Sequence, residues 1–314
     1  MERAKRGDFH RIYMQRLTPN CLFFASLAIA LLLQWWLGNV PTGLFAFPLG
    51  AALLVAMCVG LWVVERETDA CSWVCSLRSV GMSLRLLTAI ILWCVVGGCL
   101  PQGETTGVPG VEVDVWQRLG FRDFPSSWPF VCLLVALLAH LSLVIFHRLR
   151  VSSGRQQVPF LLLHGGLWLA VAAGTVGSCD LRESRMAVLR SRPGRMAYLS
   201  SGRPMPLSYT LQMQDFRIER SETDGTPVQY AATLLLDGRP IHLSVNHPYA
   251  ATWCEDIYLM SFDTAATAAN PAYCVVQIVR QPWKWMLYAG LLLLLAGAGW
   301  SVMKLEPTYT TARI

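Results

Sequence analysis

Charge is what this chain has least of. Asp, Glu, Lys and Arg make up 15% of its 314 residues, while 54% are hydrophobic, and the mean hydropathy is +0.41. A soluble domain carries nearer a quarter charged residues, so that class is excluded and an integral membrane protein is indicated. Several signatures are missing as well. No Cys-x-x-Cys pair occurs, which removes a dithiol reductase, and without Cys-x-x-Cys-His the chain is not a covalent c-type cytochrome. No small-residue cleavage site follows the first apolar run, so an uncleaved anchor and a mature chain starting at Met1 are expected. The net charge of +6 is not a nucleic-acid footprint, because the basic residues cluster beside apolar runs and no groove-reading motif accompanies them. No internal repeat or low-complexity segment is evident.

What remains is long apolar runs. Six stretches qualify as spans: Cys21 to Leu37, Leu44 to Val64, Met82 to Leu100, Pro129 to Phe146, Val158 to Ser178 and Trp283 to Met303, against the roughly 20 residues a bilayer requires. Lys and Arg near their ends orient them. Arg3, Lys5, Arg6, Arg11 and Arg16 precede the first, and Arg78 and Arg85 sit at the start of the third. His147-Arg148-Leu149-Arg150 and Arg155 separate the fourth from the fifth, and Lys304 follows the sixth. With both termini cytoplasmic, all of these fall inside. The loop from Pro101 to Ser127, carrying Glu104, Glu112 and Asp114, then faces outward, as does the stretch from Cys179 to Gln281. The basic residues of that stretch do not oppose this, because long domains translocate regardless of charge.

The stretch between the fifth and sixth spans has a period of two. Leu207 to Met213 alternates apolar and polar, Val228 to Leu236 leads into the turn Asp237-Gly238, and Ile241 to Val245 completes a hairpin. Tyr273 to Arg280 reads as a last strand feeding the sixth span. The expected fold is therefore an α-helical six-span membrane protein with a β-rich domain between spans five and six. Its divisions are residues 1–80, a two-span extension; 81–178, a three-span core; 179–281, the β-rich domain; and 282–314, the last helix and tail.

His164 is the residue that carries most chemistry, because ionisable groups within spans are costly and by default functional candidates. Neutral imidazole is a good ligand for haem iron; the rival reading is a hydrogen bond across a helix interface. Gly165, Gly166 and Gly174 are small enough to let a flat porphyrin or another helix approach the backbone. His140 lies at a matching depth in the antiparallel neighbour, about 10 Å from the same boundary, and is a second candidate for the same haem. His147 opens the basic run and, with Arg148 and Arg150, is either solvated or turned toward haem propionates. His10 is a tail residue and His242 a strand surface residue. Pro248 restricts His247 to extended backbone, which suits either a structural turn or a contact with haem or apocytochrome.

Cys71 and Cys75 have CxxxC spacing without the second pair that a metal site needs. Cys254 and Cys274 are the candidate disulfide on the outward side. Trp116, Trp128, Trp253, Trp283 and Trp285 lie at or beyond span ends, where an indole suits the headgroup region, Trp128 being also a candidate shelf for haem. Arg182 and Glu183, just past the fifth span, are either a local ion pair or, for Arg182, a partner for haem propionates.

Several strings resemble one family. Ser83-Leu84-Arg85-Leu86 followed by an apolar run ending Gly98-Cys99-Leu100-Pro101-Gln102, then Leu119-Gly120-Phe121 with Ser127-Trp128-Pro129-Phe130, resemble the first two core spans of ResB, also called CcsB. His164 to Gly174 with Leu181-Arg182-Glu183 resembles the third, and Val245-Asn246-His247-Pro248 resembles a signature of the outward domain. The similarity runs from about Gly81 to Lys304, and the two spans before it resemble Bacteroidetes-type versions. The resemblance implies a subunit of System II cytochrome c biogenesis in a bacterial inner membrane, with its β domain periplasmic. It implies non-covalent haem b shared with a ResC/CcsA-type membrane partner, delivery of haem for attachment to apocytochrome c, and His164 as an axial ligand. At the place of His140 the family more often has Asn. The partner's tryptophan-rich motif is absent, so the chain is neither the whole synthase nor a catalyst by itself. The alternatives are a membrane b-type electron-transfer subunit, which would want two stacked pairs of histidines, and a purely structural or sensory membrane protein.

Overall fold

The computed structural model describes residues 21, 23–67, 72–103, 114–152, 154–220, 227–263 and 271–304. The chain divides into two compact units, Met1–Cys179 with Trp285–Ile314, and Asp180–Lys284. The first is helical: α1 (Phe23–Leu37), α2 (Leu49–Glu67), α3 (Ser72–Leu77), α4 (Val80–Gly98), α5 (Val115–Arg118), α6 (Trp128–Val151), α7 (Val158–Asp180) and α8 (Lys284–Lys304). Five of these, α2, α4, α6, α7 and α8, are long and apolar enough to cross a membrane. The remaining expected span is α1, described from Phe23 to Leu37; the basic residues ahead of it lie outside the described residues.

Local signals start these helices. Ser79 caps α4 by accepting a hydrogen bond from the Met82 amide at 3.3 Å, and Pro129 occupies the first turn of α6, where its missing N–H costs nothing. α6 is the most enclosed helix, burying Leu133, Leu137, Leu138, Leu141 and Leu143, and both α2 and α4 pack along it. The pair of spans before Gly81 is therefore part of the same helical unit as the rest. Outward faces of α2, α4 and α8 expose Val55, Val59, Ile91, Leu92, Leu292 and Leu295, a surface suited to acyl chains rather than water.

α7 and α8 meet through glycines. A Cβ on Gly166 would stand 2.7 Å from the Leu294 amide nitrogen, one on Gly290 2.6 Å from that of Ala170, and one on Gly297 2.8 Å from that of Leu163. Such backbone proximity is how helices associate when lipid removes the hydrophobic drive between them. At the amino-terminal end of α6 a polar cluster does comparable work. Gln34, 1% exposed, donates to Asn39 at 2.9 Å and accepts from the Trp128 amide at 3.0 Å, while Asn39 donates to Asp123 at 2.9 Å.

The second unit is one antiparallel eight-stranded sheet. Its strands are β1 (Arg182–Leu189), β2 (Gly194–Leu199), β3 (Pro204–Arg220), β4 (Pro227–Leu236), β5 (Arg239–Ser244), β6 (Tyr249–Ala250), β7 (Glu255–Phe262) and β8 (Tyr273–Arg280), ordered β5-β4-β3-β2-β1-β8-β7-β6. The expected hairpin is β4–β5, turned by Asp237 and Gly238 at φ 47° and 81°, the primed geometry that twists with its strands. Thr210 donates both its amide and its hydroxyl to the Asp237 carboxylate, at 2.7 and 2.9 Å, and so holds that carboxyl below its usual range. One core lines the inner face, with Val188, Leu211, Leu234, Leu243, Ile257, Cys274 and Val276 all fully enclosed. The sheet curls upon itself: the Tyr230 hydroxyl on β4 donates to the Met260 carbonyl on β7 at 2.8 Å, and Phe216, Tyr230 and Phe262 pack as a trio. The unit's chain ends are pinned by Trp283 donating to Asp180 at 2.7 Å and by Lys284, 7% exposed, reaching both oxygens of Asp256 at 2.8 Å.

If the α7–α8 contact holds the helices together, Gly290→Leu overpacks it and costs about 1–3 kcal/mol. A fall in the melting temperature of the detergent-solubilised protein, set against an unchanged Gly299→Ala control with open space around it, is the expected outcome.

Candidate functional site

His164 sits in the second turn of α7, and its ring is fixed by its own helix. Nδ1 lies 3.0 Å from the Phe160 carbonyl, which can only accept, so Nδ1 carries a proton and Nε2 is the nitrogen that holds the lone pair when the ring is neutral. The imidazole stacks on the Phe160 ring, centroids 3.9 Å apart and planes 23° from parallel. Nε2 has no hydrogen-bond partner among the described residues, and the side chain is partly buried. The cross-helix hydrogen bond considered for His164 is not formed among the described residues. A neutral imidazole whose second nitrogen is tied to a carbonyl is the arrangement metal-ligating histidines ordinarily take. Of the neighbouring glycines, Gly166 is filled by α8, whereas Gly165 and Gly174 face open space.

The stack continues beyond Phe160. The Arg148 guanidinium carbon stands 5.4 Å from the Phe160 ring centroid, a cation–π contact, giving a column Arg148, Phe160, His164. Beside it is a charge cluster that sequence reading missed. Glu65, at the end of α2 and 2% exposed, accepts from Arg78 at 2.7 Å and faces His147 Nδ1 at 2.8 Å. Arg150 donates to the Glu65 carbonyl at 2.6 Å. His147, Arg150 and Arg78 are thus turned toward Glu65 rather than left as a free basic surface. The available signal was an acidic residue at the end of an apolar helix, with two arginines and a histidine elsewhere in the chain to meet it.

His140 is placed differently from His164. It is 6% exposed, its Nδ1 donates to the Leu77 carbonyl at 2.6 Å, and its Nε2 lies 2.8 Å from the Ser83 hydroxyl, which therefore donates. Both nitrogens are engaged, so His140 ties α6 to the corner between α3 and α4, and a bond to iron would first require Ser83 to turn away. Ser142, one turn from the next contact, accepts from Trp168 on α7 at 2.8 Å.

The β unit holds the other candidates. His247 follows Asn246 at φ 63°, and its amide donates to the Ser244 carbonyl at 3.0 Å, so VNHP forms a turn with an exposed imidazole. That imidazole, with His242, Asp215, Arg217, Thr233 and Ser244, lines a shallow cavity of about 260 Å³ on the outer face of β3, β4 and β5. His242 itself pairs with the Thr233 hydroxyl at 3.1 Å. Arg182 and Glu183 do not pair with each other, because successive strand residues face opposite ways; Arg182 is exposed opposite Arg280, and Glu183 accepts from Gln277 at 2.9 Å.

The candidate Cys254–Cys274 disulfide is corrected by strand register. Both thiols are free and buried. Cys254 lies beside the end of β8, where its carbonyl accepts from Gln281, whereas Cys274 is at the strand's far end opposite Phe262. At about 3.3 Å per residue the two are roughly 20 Å apart along the strand, well beyond the separation a disulfide spans. Burial pushes the Cys274 thiol up to about 12. Cys75 is exposed with a free thiol, while Cys71 and His10 lie outside the described residues, as do Glu104 and Glu112.

No protein-family model and no curated protein matches the chain. Among solved structures, one that it resembles is the cytochrome c haem lyase CcmF, at 17% identity and a TM-score of 0.39. The match covers 91% of this chain and 44% of CcmF, so this chain spans less than half of that protein's length.

If His140 is a clamp, His140→Ala leaves Ser83 and the Leu77 carbonyl unpaired. It should lower stability by about 1–3 kcal/mol, read as a lower unfolding midpoint, with Ser83→Ala showing a smaller loss in the same direction. For Cys274 the folded thiol titrates above its ordinary value of 9.0; the unfolded state therefore binds fewer protons between pH 9 and 12. Its stabilising contribution is whole below pH 9 and falls as pH rises through that window. Alkylation at pH 8 should spare Cys274 in the folded chain, and mass analysis after unfolding should find Cys254 and Cys274 both reduced.

Proposed function

We propose that this chain is a haem-handling membrane subunit of cytochrome c biogenesis, of the ResB type, working with a ResC/CcsA-type partner. The observation that carries the reading is the His164 imidazole: oriented by the Phe160 carbonyl and ring, and offering from within an apolar helix an Nε2 with no partner among the described residues. Iron of haem b takes such a nitrogen as an axial ligand. His164 would hold the iron, with the open backbone at Gly165 beside it, and the other axial ligand would come from the partner.

The residues of this chain divide the work. Phe160 fixes the ring plane and tautomer of His164, Gly166 brings α8 against the opposite side of the helix, and His140 with Ser83 keeps α6 joined to α4. Orientation follows from the basic residues: the end of the bundle bearing Arg78, Arg148 and Arg150 is assigned to the cytoplasm and the β unit to the periplasm. Haem then enters near His164 from the cytoplasmic side and is passed outward toward a site built largely by the partner, where apocytochrome c is loaded. The β unit presents apocytochrome or docks the partner, with His247 and Arg182 available on its surface. A b-type electron carrier is the weaker reading, because among the described residues only His164 offers a free imidazole within a span.

The test is the absorption spectrum of the complex co-purified with its partner. His164→Gly should lose the low-spin haem bands at least tenfold in occupancy and regain them on adding imidazole. Full haem retention without His164 would remove the reading, and intact covalent c-type cytochromes in a deletion strain would remove the biogenesis role.

A further inference from the structure

Arg78, Arg148 and Arg150 gather with His147 at one end of the helical unit, and they are not equivalent. Arg78 and His147 converge on the buried Glu65 carboxylate, and Arg150 on its carbonyl. Arg148 alone is turned the other way, exposed in the last turn of α6 and seated over the Phe160 ring at 5.4 Å. It makes no ion pair among the described residues. Phe160 in turn stacks on His164, so the unneutralised guanidinium stands one ring beyond the imidazole that keeps a free nitrogen. An arginine held over an aromatic face keeps its outward N–H groups available and preoriented for a carboxylate, to which it binds through two parallel hydrogen bonds.

We propose that Arg148 binds a carboxylate of the haem whose iron is taken by His164, so that the column Arg148, Phe160, His164 is a two-point site reading both the metal and the acidic edge of the ligand. The inference rests on the haem reading given above and adds a carboxylate-selecting residue to it. Glu65 engages Arg78, His147 and Arg150, and Arg148 is the arginine that stands on the Phe160–His164 stack. A lipid phosphate at the membrane boundary offers similar anionic oxygens, and the test separates the two.

The full chain with its partner, in phosphatidylcholine nanodiscs, is titrated with haem b and with haem dimethyl ester, whose carboxylates are blocked. Wild-type protein should prefer haem by roughly tenfold, the worth of a charge-assisted pair. Arg148→Ala should bring the ratio close to one while keeping the low-spin spectrum and its dependence on His164, and Arg148→Lys should restore part of the preference. Arg148→Gln serves the same purpose if the alanine variant does not fold. A preference that persists in both neutral variants overturns the inference, and so does a wild-type ratio near one; either result would leave Arg148 to a lipid phosphate. Wild-type protein that takes up neither compound would instead overturn the haem reading beneath it.

Discussion

A polar group inside an apolar helix has no water to bond with, and most of the helical unit follows from how each such group is satisfied. Thr175 and Ser301 return their hydroxyls to carbonyls four residues back. Trp168 reaches Ser142, His140 takes both Leu77 and Ser83, and Trp93 reaches Ser127. Trp128 Nε1 lacks a partner among the described residues, and so does His164 Nε2. The helix of His164 satisfies Nδ1 and fixes the ring, so the unsatisfied nitrogen is oriented rather than loose.

The same economy explains the packing. α7 presents one face to α8 through Gly166, with Gly290 and Gly297 opposite, and leaves Gly165 and Gly174 uncovered. Charge is confined to helix ends, where Glu65 collects Arg78, His147 and Arg150 at one side and Asn39 links Gln34 to Asp123 at the other. The β unit meets the opposite demand. Its outer face is polar, its inner face forms one continuous core, and β4 reaches β7 through Tyr230 and Met260.

Much of this was legible in the residues. Apolar runs and their breaks located α2, α4, α6, α7 and α8 within a few positions, and Asp237-Gly238 and Tyr273–Arg280 marked a hairpin and a final strand because period-two patterning is a local property. What was not legible depends on distance in sequence. Glu65 and Arg78 meet His147 across more than sixty residues, and no periodicity announces that. Whether His140 was free or bonded turned on Ser83 and the Leu77 carbonyl, which composition does not reveal. The candidate bridge between Cys254 and Cys274 failed for a related reason: Cys254 stands just before β7 and Cys274 lies in the neighbouring β8, but register sets them at opposite ends. For Gly165 and Gly166, two adjacent glycines read alike as sequence, and only the position of α8 separates the covered one from the open one.

The central claim is that His164 Nε2 is a bond waiting for iron. Pulsed electron paramagnetic resonance of the ferric complex, with ¹⁵N-histidine introduced only into this chain, tests it directly. The account predicts the strong hyperfine coupling of one directly bound ¹⁵N from this chain, absent when His164 is the one histidine replaced. A haem-loaded complex without that coupling, or with a coupling that survives replacement of His164, would contradict it.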